Sequence, residues 1–281
     1  MKFGSVAIVG RSNVGKSTLL NRLLREKIAI VSDKPQTTRT RILGVAHVES
    51  AQIVFLDTPG LHEPRHLLNR RMVRTALETF DDADVLFVVV DATAEPGPGD
   101  LAVIGHLRAA MVKQARPVVL VINKVDLVNK TRLLPRIDQY ARLYQWIEVV
   151  PLSAETGDNV DRLLAVTQAL LPEGEAVYGE DMVTDQSMRT LAAELIREKI
   201  LRQTYEEVPH SVAVEIEEFQ ETKKLMRITA AVLVEKESQK GILIGKQGER
   251  LKQVGVQARQ DMERIFGTKV FLQLWVKVRD S

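Results

Sequence analysis

Residues 6–18 read VAIVGRSNVGKST, a short apolar run followed by a glycine-rich turn and a basic residue. The apolar run predicts a buried strand, and the residues after Ser17 continue as a helix. Glycines at positions 10 and 15 let the backbone curl, so that its N–H groups and the helix N-terminus point at one anion. In this strand-to-helix context the pattern is typical of a phosphate-binding loop. A glycine turn that only caps an ordinary helix is the alternative.

Short apolar strands alternate with helical stretches from residue 1 to about residue 171. This order predicts an α/β domain with a mostly parallel, six-stranded sheet and helices on both faces. Nearly continuous apolar runs such as Val85–Val90 indicate strands that are covered on both faces. The second and third strands are close in sequence, so we expect them to form an antiparallel hairpin. The candidate strands are Val6–Val9, Ile42–Val48, Ile53–Asp57, Val85–Asp91, Val118–Ile122 and Glu148–Pro151.

Two sets of residues in this domain are placed to act on phosphates. Lys16 is expected to reach the β- and γ-phosphates, and the Ser17 hydroxyl is expected to bind Mg²⁺. Asp57 follows the third strand and is expected to hold Mg²⁺ through water, while the Gly60 N–H meets the γ-phosphate. A plain turn after a strand is the alternative for residues 57–60. The expected phosphate-binding residues are Gly10, Arg11, Ser12, Asn13, Val14, Gly15, Lys16, Ser17, Thr18, Asp57, Thr58, Pro59 and Gly60.

The motif Asn-Lys-Val-Asp at the end of the fifth strand indicates which base is bound. A carboxylate at Asp126 accepts hydrogen bonds from the ring N–H and exocyclic amine of guanine, whereas adenine has an acceptor at that ring position and lacks that amine. Lys124 lies over the base, Asn123 connects neighbouring loops, and a backbone N–H of residues 152–154 donates to the guanine carbonyl. These residues therefore predict GTP and GDP as ligands, and they are Asn123, Lys124, Val125, Asp126, Leu152, Ser153 and Ala154.

The loop at residues 28–40 is a candidate switch. A threonine in it contacts Mg²⁺ and the γ-phosphate only when GTP is bound, so the loop is ordered by GTP and released after hydrolysis. We prefer Thr38 to Thr37 for this role, although the sequence barely separates them, and a solvated turn is the alternative. The expected metal ligands are Ser17, Thr38 and Asp57, and the loop residues expected to contact GTP are Gln36, Thr37, Thr38, Arg39 and Thr40.

A second domain follows a segment with no steady apolar period. The chain of 281 residues is long for a single core, and PEGEAVYGEDMVTDQS at residues 172–187 is typical of a linker. Helical spacing from Met188 to Ile200 then predicts a helix, Ser211–Glu218 and Leu225–Val234 predict strands, and a long helix to Phe266 precedes a last strand at Val270–Val278. We therefore predict domains at 1–171 and 187–281, with a linker at 172–186.

The stretch KESQKGILIGKQGERLK at residues 236–252 has five basic and two acidic side chains and contains the loop Gly-Lys-Gln-Gly between two helices. Such a loop lets single-stranded RNA backbone approach closely and clamps about four nucleotides. Ile242, Leu243, Ile244 and Val254 are candidates for the apolar surface beside the bases, although some must face the core. A solvated interhelix turn is the alternative. The expected RNA-binding residues are Lys240, Gly241, Ile242, Ile244, Gly245, Lys246, Gln247, Gly248, Arg250 and Lys252.

Composition bounds the remaining possibilities. Hydrophobic residues make up 45% and charged residues 27%, and no apolar run reaches the roughly 18 residues that a spanning helix needs. The chain has no cysteine and its N-terminus enters a strand rather than a signal peptide, so we expect a cytoplasmic protein whose metals have oxygen, histidine or phosphate ligands. A net charge of +2 is too small to indicate nucleic-acid binding by itself.

Taken together, the motifs resemble one family, the Era family of bacterial GTPases. The resemblance rests on GRSNVGKSTLLN, KIAIVSDKPQTTRTRILG, DTPGLH, INKVDL and LSAETGDNV in the first domain, and on EVPHSVAVEIEEF, GILIGKQGERLKQVG and VFLQLWVKV in the second. It implies a P-loop GTPase domain followed by an α+β type II KH domain, acting on the 3′ end of 16S rRNA in assembly of the 30S subunit as a monomer. Ser12 stands where the family usually has proline, and the sequence ends at Ser281, where relatives often continue in a short tail.

The resemblance also bears on catalysis. Many small GTPases orient the attacking water with a glutamine at the position of Leu61, and leucine cannot do so. We therefore expect slow intrinsic hydrolysis, with Lys16, Asn13, Thr38, Asp57 and Gly60 as the catalytic set. Relatives that potassium activates suggest that the Asn13 side chain helps to bind K⁺ beside the phosphates. Bracing of the loop by Asn13 is an equal alternative.

A different class of function is a GTPase that acts mainly at a membrane, with the basic face of the second domain against lipid headgroups. Weak peripheral contact with the inner face of the cell membrane is compatible with both hypotheses. The sequence has no long basic amphipathic helix, which favours RNA. A GTPase of RNA modification is a third possibility, but no domain here supplies a modifying centre.

Overall fold

The structure is a computed structural model that describes residues 1–61, 67–205, 211–222 and 224–279. His62, residues 207–210 and Ser281, which belong to the motifs and the chain end discussed above, lie outside these ranges. The chain divides into two compact units. The first comprises Met1–Ala29 and Thr38–Asp185, and the second comprises Ile30–Thr37 and Gln186–Ser281.

The first unit has a six-stranded sheet in the order β2-β3-β1-β4-β5-β6. All neighbouring strands are parallel except β2 and β3, which form the predicted antiparallel hairpin. The strands are β1 (Lys2–Val9), β2 (Ile42–Val48), β3 (Ala51–Asp57), β4 (Val85–Asp91), β5 (Val118–Asn123) and β6 (Glu148–Pro151), and the helices are α1 (Lys16–Leu24), α2 (Leu67–Asp82), α3 (Pro98–Lys113), α4 (Lys130–Ala141) and α5 (Val160–Leu170). The predicted fold class is confirmed.

Both faces of this sheet are covered, which explains the continuous apolar strands. Every residue of β3, β4 and β5 is buried. Alternate side chains of β4 and β5 enter two separate cores, one with Phe55 and Phe87 and the other with Phe80 and Tyr140. Burial of each large apolar side chain contributes about 1.5–3 kcal/mol. Because parallel strands end at the same edge, this packing brings the loops after β1, β3, β4, β5 and β6 to one edge of the sheet.

The segment predicted as a linker packs on the first unit up to Asp185. The buried side chain of Gln52 accepts hydrogen bonds from the Val177 and Tyr178 amides and donates to the Tyr178 carbonyl at 2.7 Å. Further along, Thr184 donates to the carbonyl of Leu43. The segment uses polar and backbone contacts in place of an apolar stripe, so its hydropathy alone resembles a linker.

The second unit has a three-stranded sheet in the order β7-β8-β9. β7 (Ala213–Glu221) is antiparallel to β8 (Leu225–Val234), and β8 is parallel to β9 (Lys269–Val278). The helices α6 (Met188–Gln203), α7 (Glu237–Ile244) and α8 (Glu249–Phe266) complete it. Its core joins buried residues of α6 and α8, such as Leu195 and Met262, to the inward side chains of β8. The order of elements is the one predicted from the sequence.

Among the described residues, no helix combines the length and the apolar character that a membrane-crossing helix requires.

Candidate functional site

The glycine-rich loop between β1 and α1 packs so closely against its neighbours that a side chain would not fit at two of the glycines in and beside it. Gly15 has φ +95°, and a Cβ there would lie 2.3 Å from Nδ2 of Asn123. A Cβ on Gly60 would lie 2.6 Å from Oγ and 2.8 Å from the backbone N of Ser12, so the turn after β3 rests on the loop. The Leu61 amide also donates to the Gly10 carbonyl at 3.0 Å. The two predicted phosphate-binding segments therefore lie together.

Lys16 is the buried cation of this loop. It is 6% exposed, and its Nζ donates to the Gly10 carbonyl at 3.2 Å and to the Arg11 carbonyl at 3.0 Å. Burial lowers the pKa of Lys16 to about 8, although the charge of Asp57 opposes this shift. An ammonium group that is poorly solvated in the free protein is well placed to gain from an anionic ligand.

Three oxygen-bearing side chains converge beside the loop. The Ser17 hydroxyl donates to Oδ2 of Asp57 at 2.7 Å and lies 2.8 Å from the Thr38 hydroxyl, which is itself 3.4 Å from the same carboxylate oxygen. The Thr37 hydroxyl instead donates to the carbonyl of Lys34 at 2.6 Å. The geometry therefore favours Thr38 over Thr37 as the residue of the site.

The Asp57 carboxylate has the properties of a metal ligand. It is fully buried, and its Oδ1 has no hydrogen-bond partner among the described residues. Burial raises the pKa of Asp57, while Lys16 and the hydroxyls lower it. A divalent cation would offset the cost of this buried charge, and Mg²⁺ prefers such oxygen ligands. No cluster of three or more acidic or histidine ligands occurs in the described part of the chain, so the remaining ligands would have to come from phosphates and water.

A pocket of about 270 Å³ lies at the same edge of the sheet. It has the size and the mixed polar and apolar lining expected for a nucleotide base. The lining residues are Gly15, Thr18, Asn123, Lys124, Asp126, Leu127, Ala154 and Glu155. The structure thus brings together the loop after β1, the loop after β5 and the loop after β6, as the positions of their motifs predict.

Asn123 joins these three loops. Its Nδ2 donates to the Val14 carbonyl at 2.8 Å, and its Oδ1 accepts from the Ala154 amide at 2.9 Å. The amides of Leu152 and Ser153 also donate within the protein, at 2.9 and 3.0 Å. All three N–H groups proposed as donors to guanine are therefore already used. The Glu155 amide has no acceptor within the described chain, and this residue, which the sequence analysis did not select, lines the pocket.

Lys124 connects the base pocket to the phosphate loop. Its Nζ donates to Oδ2 of Asp91 at 2.7 Å and to the Asn13 carbonyl at 2.7 Å. Burial tends to raise the pKa of Asp91, but hydrogen bonds from Lys124 and Thr93 lower it overall. The carboxylate at the end of β4 thus keeps its charge and orients Lys124. Asp91 was missed in the sequence because a single carboxylate after a strand has no motif around it.

The remaining loop residues have different environments. Arg11 turns away to Asp100, with Nε 3.2 Å from Oδ1, and so anchors the phosphate loop to α3. Asn13 is exposed and has φ +65°, while Gln36 has φ +62°. Leu61 is only 2% exposed and belongs to the core, so it cannot orient a water molecule. The other predicted residues differ in exposure: Val14, Thr58, Pro59 and Gly60 are buried, Ser12, Thr18, Arg39 and Val125 are partly buried, and Thr40 is exposed.

Residues 30–37 belong to the second unit, where they contact α6. The Val31 amide donates to Oε2 of Glu198 at 3.3 Å, and the Arg202 guanidinium donates to the Val31 carbonyl at 3.1 Å. Arg197 donates to the Thr37 carbonyl. The first helix of the second unit therefore fixes both ends of this segment. No local pattern in the sequence indicates this association, because charged side chains of α6 contact backbone groups that lie far away along the chain.

The glycine loop of the second unit joins α7 to α8. Gly245 has φ +71°, and a Cβ there would lie 2.8 Å from Cβ of Arg250. Gly248 has φ +81° and faces open space, so nothing blocks the approach of another backbone. Lys246 and Lys252 are exposed and form no ion pair with a described residue. The loop therefore presents cations and an accessible backbone at one place.

The residues beside this loop divide into a surface set and a core set. Ile242 is 44% exposed and Ile244 is partly buried, whereas Leu243 and Val254 are each 1% exposed and lie in the core. The candidate role of Leu243 and Val254 beside the bases is therefore wrong. Arg250 donates to the carbonyl of Ile242, Lys240 pairs with Glu237 at 3.6 Å, and Gly241 and Gln247 are exposed.

Comparisons with known proteins agree with both parts of this description. Residues 5–124 match the family model described as a 50S ribosome-binding GTPase, and residues 207–281 match the KH domain. The GTPase Era of Syntrophus aciditrophicus is 50% identical over 280 residues, with 99% of this chain and 90% of that protein covered. The GTPase Era of Heliobacterium modesticaldum is 49% identical over 281 residues, with 99% and 92% covered.

Solved structures show the same likeness. A structure of Era in complex with MgGDPNP and nucleotides 1506–1542 of 16S ribosomal RNA matches with a TM-score of 0.94 and 44% identity, and covers 100% of this chain and 95% of that one. A structure of Aquifex aeolicus Era bound to GDP.AlF4⁻ matches with a TM-score of 0.93, also at 44% identity and with the same coverage.

Proposed function

This chain belongs to the Era family of GTPases, and from that membership we propose that its GTP hydrolysis controls a KH domain that holds the 3′ end of 16S rRNA during assembly of the 30S subunit. The observation that supports the proposal is the presence, in one chain, of a base-sized pocket lined by Asp126 and of an accessible glycine loop with the exposed cation Lys246. We further propose that the protein acts as a monomer in the cytoplasm.

The nucleotide site binds GTP through groups that are already positioned. Amides of the phosphate loop and the Lys16 ammonium stabilise charge on the β- and γ-phosphates, where it develops during hydrolysis. Asp126 accepts from the guanine ring, and we assign the donor to the guanine carbonyl to the Glu155 amide. Lys124 is held over the base by Asp91.

Mg²⁺ accompanies the nucleotide, and we propose that Ser17, Thr38 and Asp57 hold it. When bound, the ion neutralises phosphate charge as a Lewis acid. The hydroxyls of Ser17 and Thr38 now hydrogen-bond the Asp57 carboxylate, and these bonds mark the side chains that are close enough to share a cation. Since Thr38 follows the segment at residues 30–37, its engagement by GTP gives the switch a direct route along the chain to α6.

We also propose that K⁺ activates GTP hydrolysis, and substitution of Asn13 tests this proposal. If Asn13 helps to bind K⁺ beside the phosphates, we expect GTP turnover in potassium to exceed turnover in sodium, and the difference to disappear in Asn13→Ala. Loss of one electrostatic group at the transition state corresponds to about 10²-fold in rate. The measurement is steady-state phosphate release in each salt at equal ionic strength. Equal rates of GTP hydrolysis by the wild type in both salts would contradict K⁺ binding by Asn13 and favour the alternative, in which Asn13 only stabilises the phosphate loop.

The RNA proposal predicts a specific salt dependence. We expect the double variant Lys246→Ala, Lys252→Ala to bind the 16S rRNA fragment 1506–1542 about tenfold more weakly, because two phosphate contacts are lost. The slope of log affinity against log salt should fall by about 1.4, since each contact with single-stranded RNA contributes about 0.7. Filter binding over a range of potassium chloride concentrations measures both quantities.

A matched control is Lys130→Ala, which removes an exposed lysine from the first unit. It should leave the RNA affinity and the salt slope unchanged. Anionic vesicles provide the comparison for the membrane alternative. Stronger binding to vesicles than to RNA, or an unchanged slope in the double variant, would contradict the proposal.

A further inference from the structure

The sheet of the second unit has one face that its helices leave open. The inward side chains of β8 and β9, such as Ile228 and Val276, enter the core with α6, α7 and α8. Alternate residues point to the opposite face. On β8 and β9 the residues of this outer face are Arg227, Thr229, Ala231, Leu233, Lys269, Phe271, Gln273, Trp275 and Lys277, of which Ala231 is buried. It combines aromatic rings with cations, which are uncommon together on a plain solvated strand.

The ring of Phe271 is exposed, the ring of Trp275 is partly buried, and each lies near a cation. Phe271 is 49% exposed, and the guanidinium of Arg227, its partner on β8, lies 5.4 Å from the ring centroid. The ammonium of Lys277 lies 5.7 Å from the ring centroid of Trp275. The indole N–H of Trp275 is buried and has no acceptor among the described residues, so Trp275 offers part of its ring and not its donor to a ligand.

The cations of this face differ in whether a carboxylate neutralises them. The carboxylates of Glu215 and Glu217 on β7 pair with Arg279 and Lys277. Arg227, in contrast, pairs with no carboxylate in the described ranges and lies only over Phe271. An anionic ligand is therefore favoured beside Phe271 and is repelled by β7.

This face shares a strand with the proposed RNA site. α7 ends at the Gly245–Gly248 loop and packs against β9, and β9 is an edge strand of the sheet. RNA that passes from the glycine loop along the edge of β9 meets Phe271 and Trp275 on its outer side. Both rings lie on the same face of the strand, four residues apart.

We propose that Phe271, Trp275 and Arg227 form a second RNA-binding surface, which stacks unpaired nucleotides that flank those clamped by the glycine loop. The inference rests on the proposed function of the KH domain and extends the bound RNA beyond it. Exposed aromatic rings stack on the face of any base, while Arg227 neutralises phosphate, so the surface takes single-stranded RNA with little sequence preference. A protein partner is the competing occupant, but the unpaired cation beside an exposed ring fits a nucleotide better.

The test compares two RNAs on the full-length protein loaded with a non-hydrolysable GTP analogue. The core RNA is the shortest segment of 16S rRNA 1506–1542 that the wild type binds. The extended RNAs add about six adenosines to its 5′ or its 3′ end, a length typical of stacking platforms. Fluorescence anisotropy gives the affinity of each RNA for the wild type, Phe271→Ala, Arg227→Gln and a control, Val177→Ala, which truncates an exposed apolar side chain of the first unit.

We expect one extension to strengthen binding to the wild type and to Val177→Ala by about tenfold, which corresponds to one well-stacked base. Phe271→Ala and Arg227→Gln should lose most of this gain while they bind the core RNA as the wild type does, which also shows that they are folded. No gain from either extension, or a gain that persists in both variants, would overturn the inference and leave the face to another partner. Failure of the wild type to bind any segment of the fragment would instead contradict the proposed function.

Discussion

Asp126→Asn is expected to weaken GTP binding by about 10³-fold and to create affinity for xanthosine triphosphate. The carboxylate accepts two hydrogen bonds from guanine, and an amide at this position places a donor against the exocyclic amine of the base. A site built to hydrogen-bond its ligand rejects a mismatched partner strongly, because polar groups are left unpaired. Xanthine has a carbonyl in place of that amine, so the asparagine amide can donate to it. Calorimetric titration of the variant with each nucleotide measures the loss of GTP affinity and the gain of affinity for xanthosine triphosphate.

The control for this prediction is the same pair of nucleotides with the wild type, which should prefer GTP. The phosphate loop is unchanged in the variant, so its rate of hydrolysis with saturating xanthosine triphosphate should approach the wild-type rate with GTP. Retention of GTP affinity in Asp126→Asn would contradict the assignment of this carboxylate.

Lys16→Met should lower the rate of GTP hydrolysis by about 10²–10³-fold without destabilising the nucleotide-free protein. Loss of one donor that stabilises transition-state charge typically has an effect of this size. The free protein loses two hydrogen bonds to the Gly10 and Arg11 carbonyls but is also relieved of a buried ammonium, whose depressed pKa of about 8 reports its desolvation. Single-turnover hydrolysis measures the rate, and thermal unfolding measures the stability.

Thermal unfolding with and without nucleotide separates this effect from misfolding. GTP at a thousand times its Kd should stabilise the wild type by about 4 kcal/mol, and much less of this stabilisation should remain in the variant. Arg142→Gln, which removes an exposed cation directly after α4, serves as the control and should behave as the wild type does. A large fall in the stability of free Lys16→Met would show that the lysine is structural.

The sequence was informative wherever backbone geometry follows from a local motif. The phosphate loop, the carboxylate of Asp57 and the motif that contains Asp126 each follow a parallel strand, and parallel strands end at one edge of a sheet. Their meeting could therefore be predicted without any knowledge of side-chain contacts. The sequence barely separated Thr38 from Thr37, and the structure supports the preference for Thr38, because adjacent threonines differ in where their hydroxyls point.

Other parts of the site depend on contacts that have no local signal. The amides of residues 152–154 donate to Asn123 and to backbone carbonyls. Only the folded loop shows that the Glu155 amide has no acceptor among the described residues. Asp91 acts through Lys124 across two strands. Gln52 fixes the segment before Asp185 by hydrogen bonds to backbone groups that are more than a hundred residues away in sequence. Such pairings leave no periodicity along the chain.

The alternation of β9 illustrates the same limit in the second unit. Its sequence VFLQLWVKV predicts a strand, but hydropathy does not show which side of the strand enters the core. The structure places the aliphatic residues inward and Phe271 and Trp275 outward. The open face that supports the second RNA surface was therefore visible only once the register of β8 and β9 was known.

Calorimetric titration of the wild-type protein with GTP and, separately, with ATP in the presence of Mg²⁺ tests the central claim most directly. The guanine pocket around Asp126 predicts that GTP binds at least about a hundredfold more tightly than ATP, since adenine leaves the carboxylate without its two donors. Equal affinities for the two nucleotides would contradict the account of the site and of the switch that depends on it.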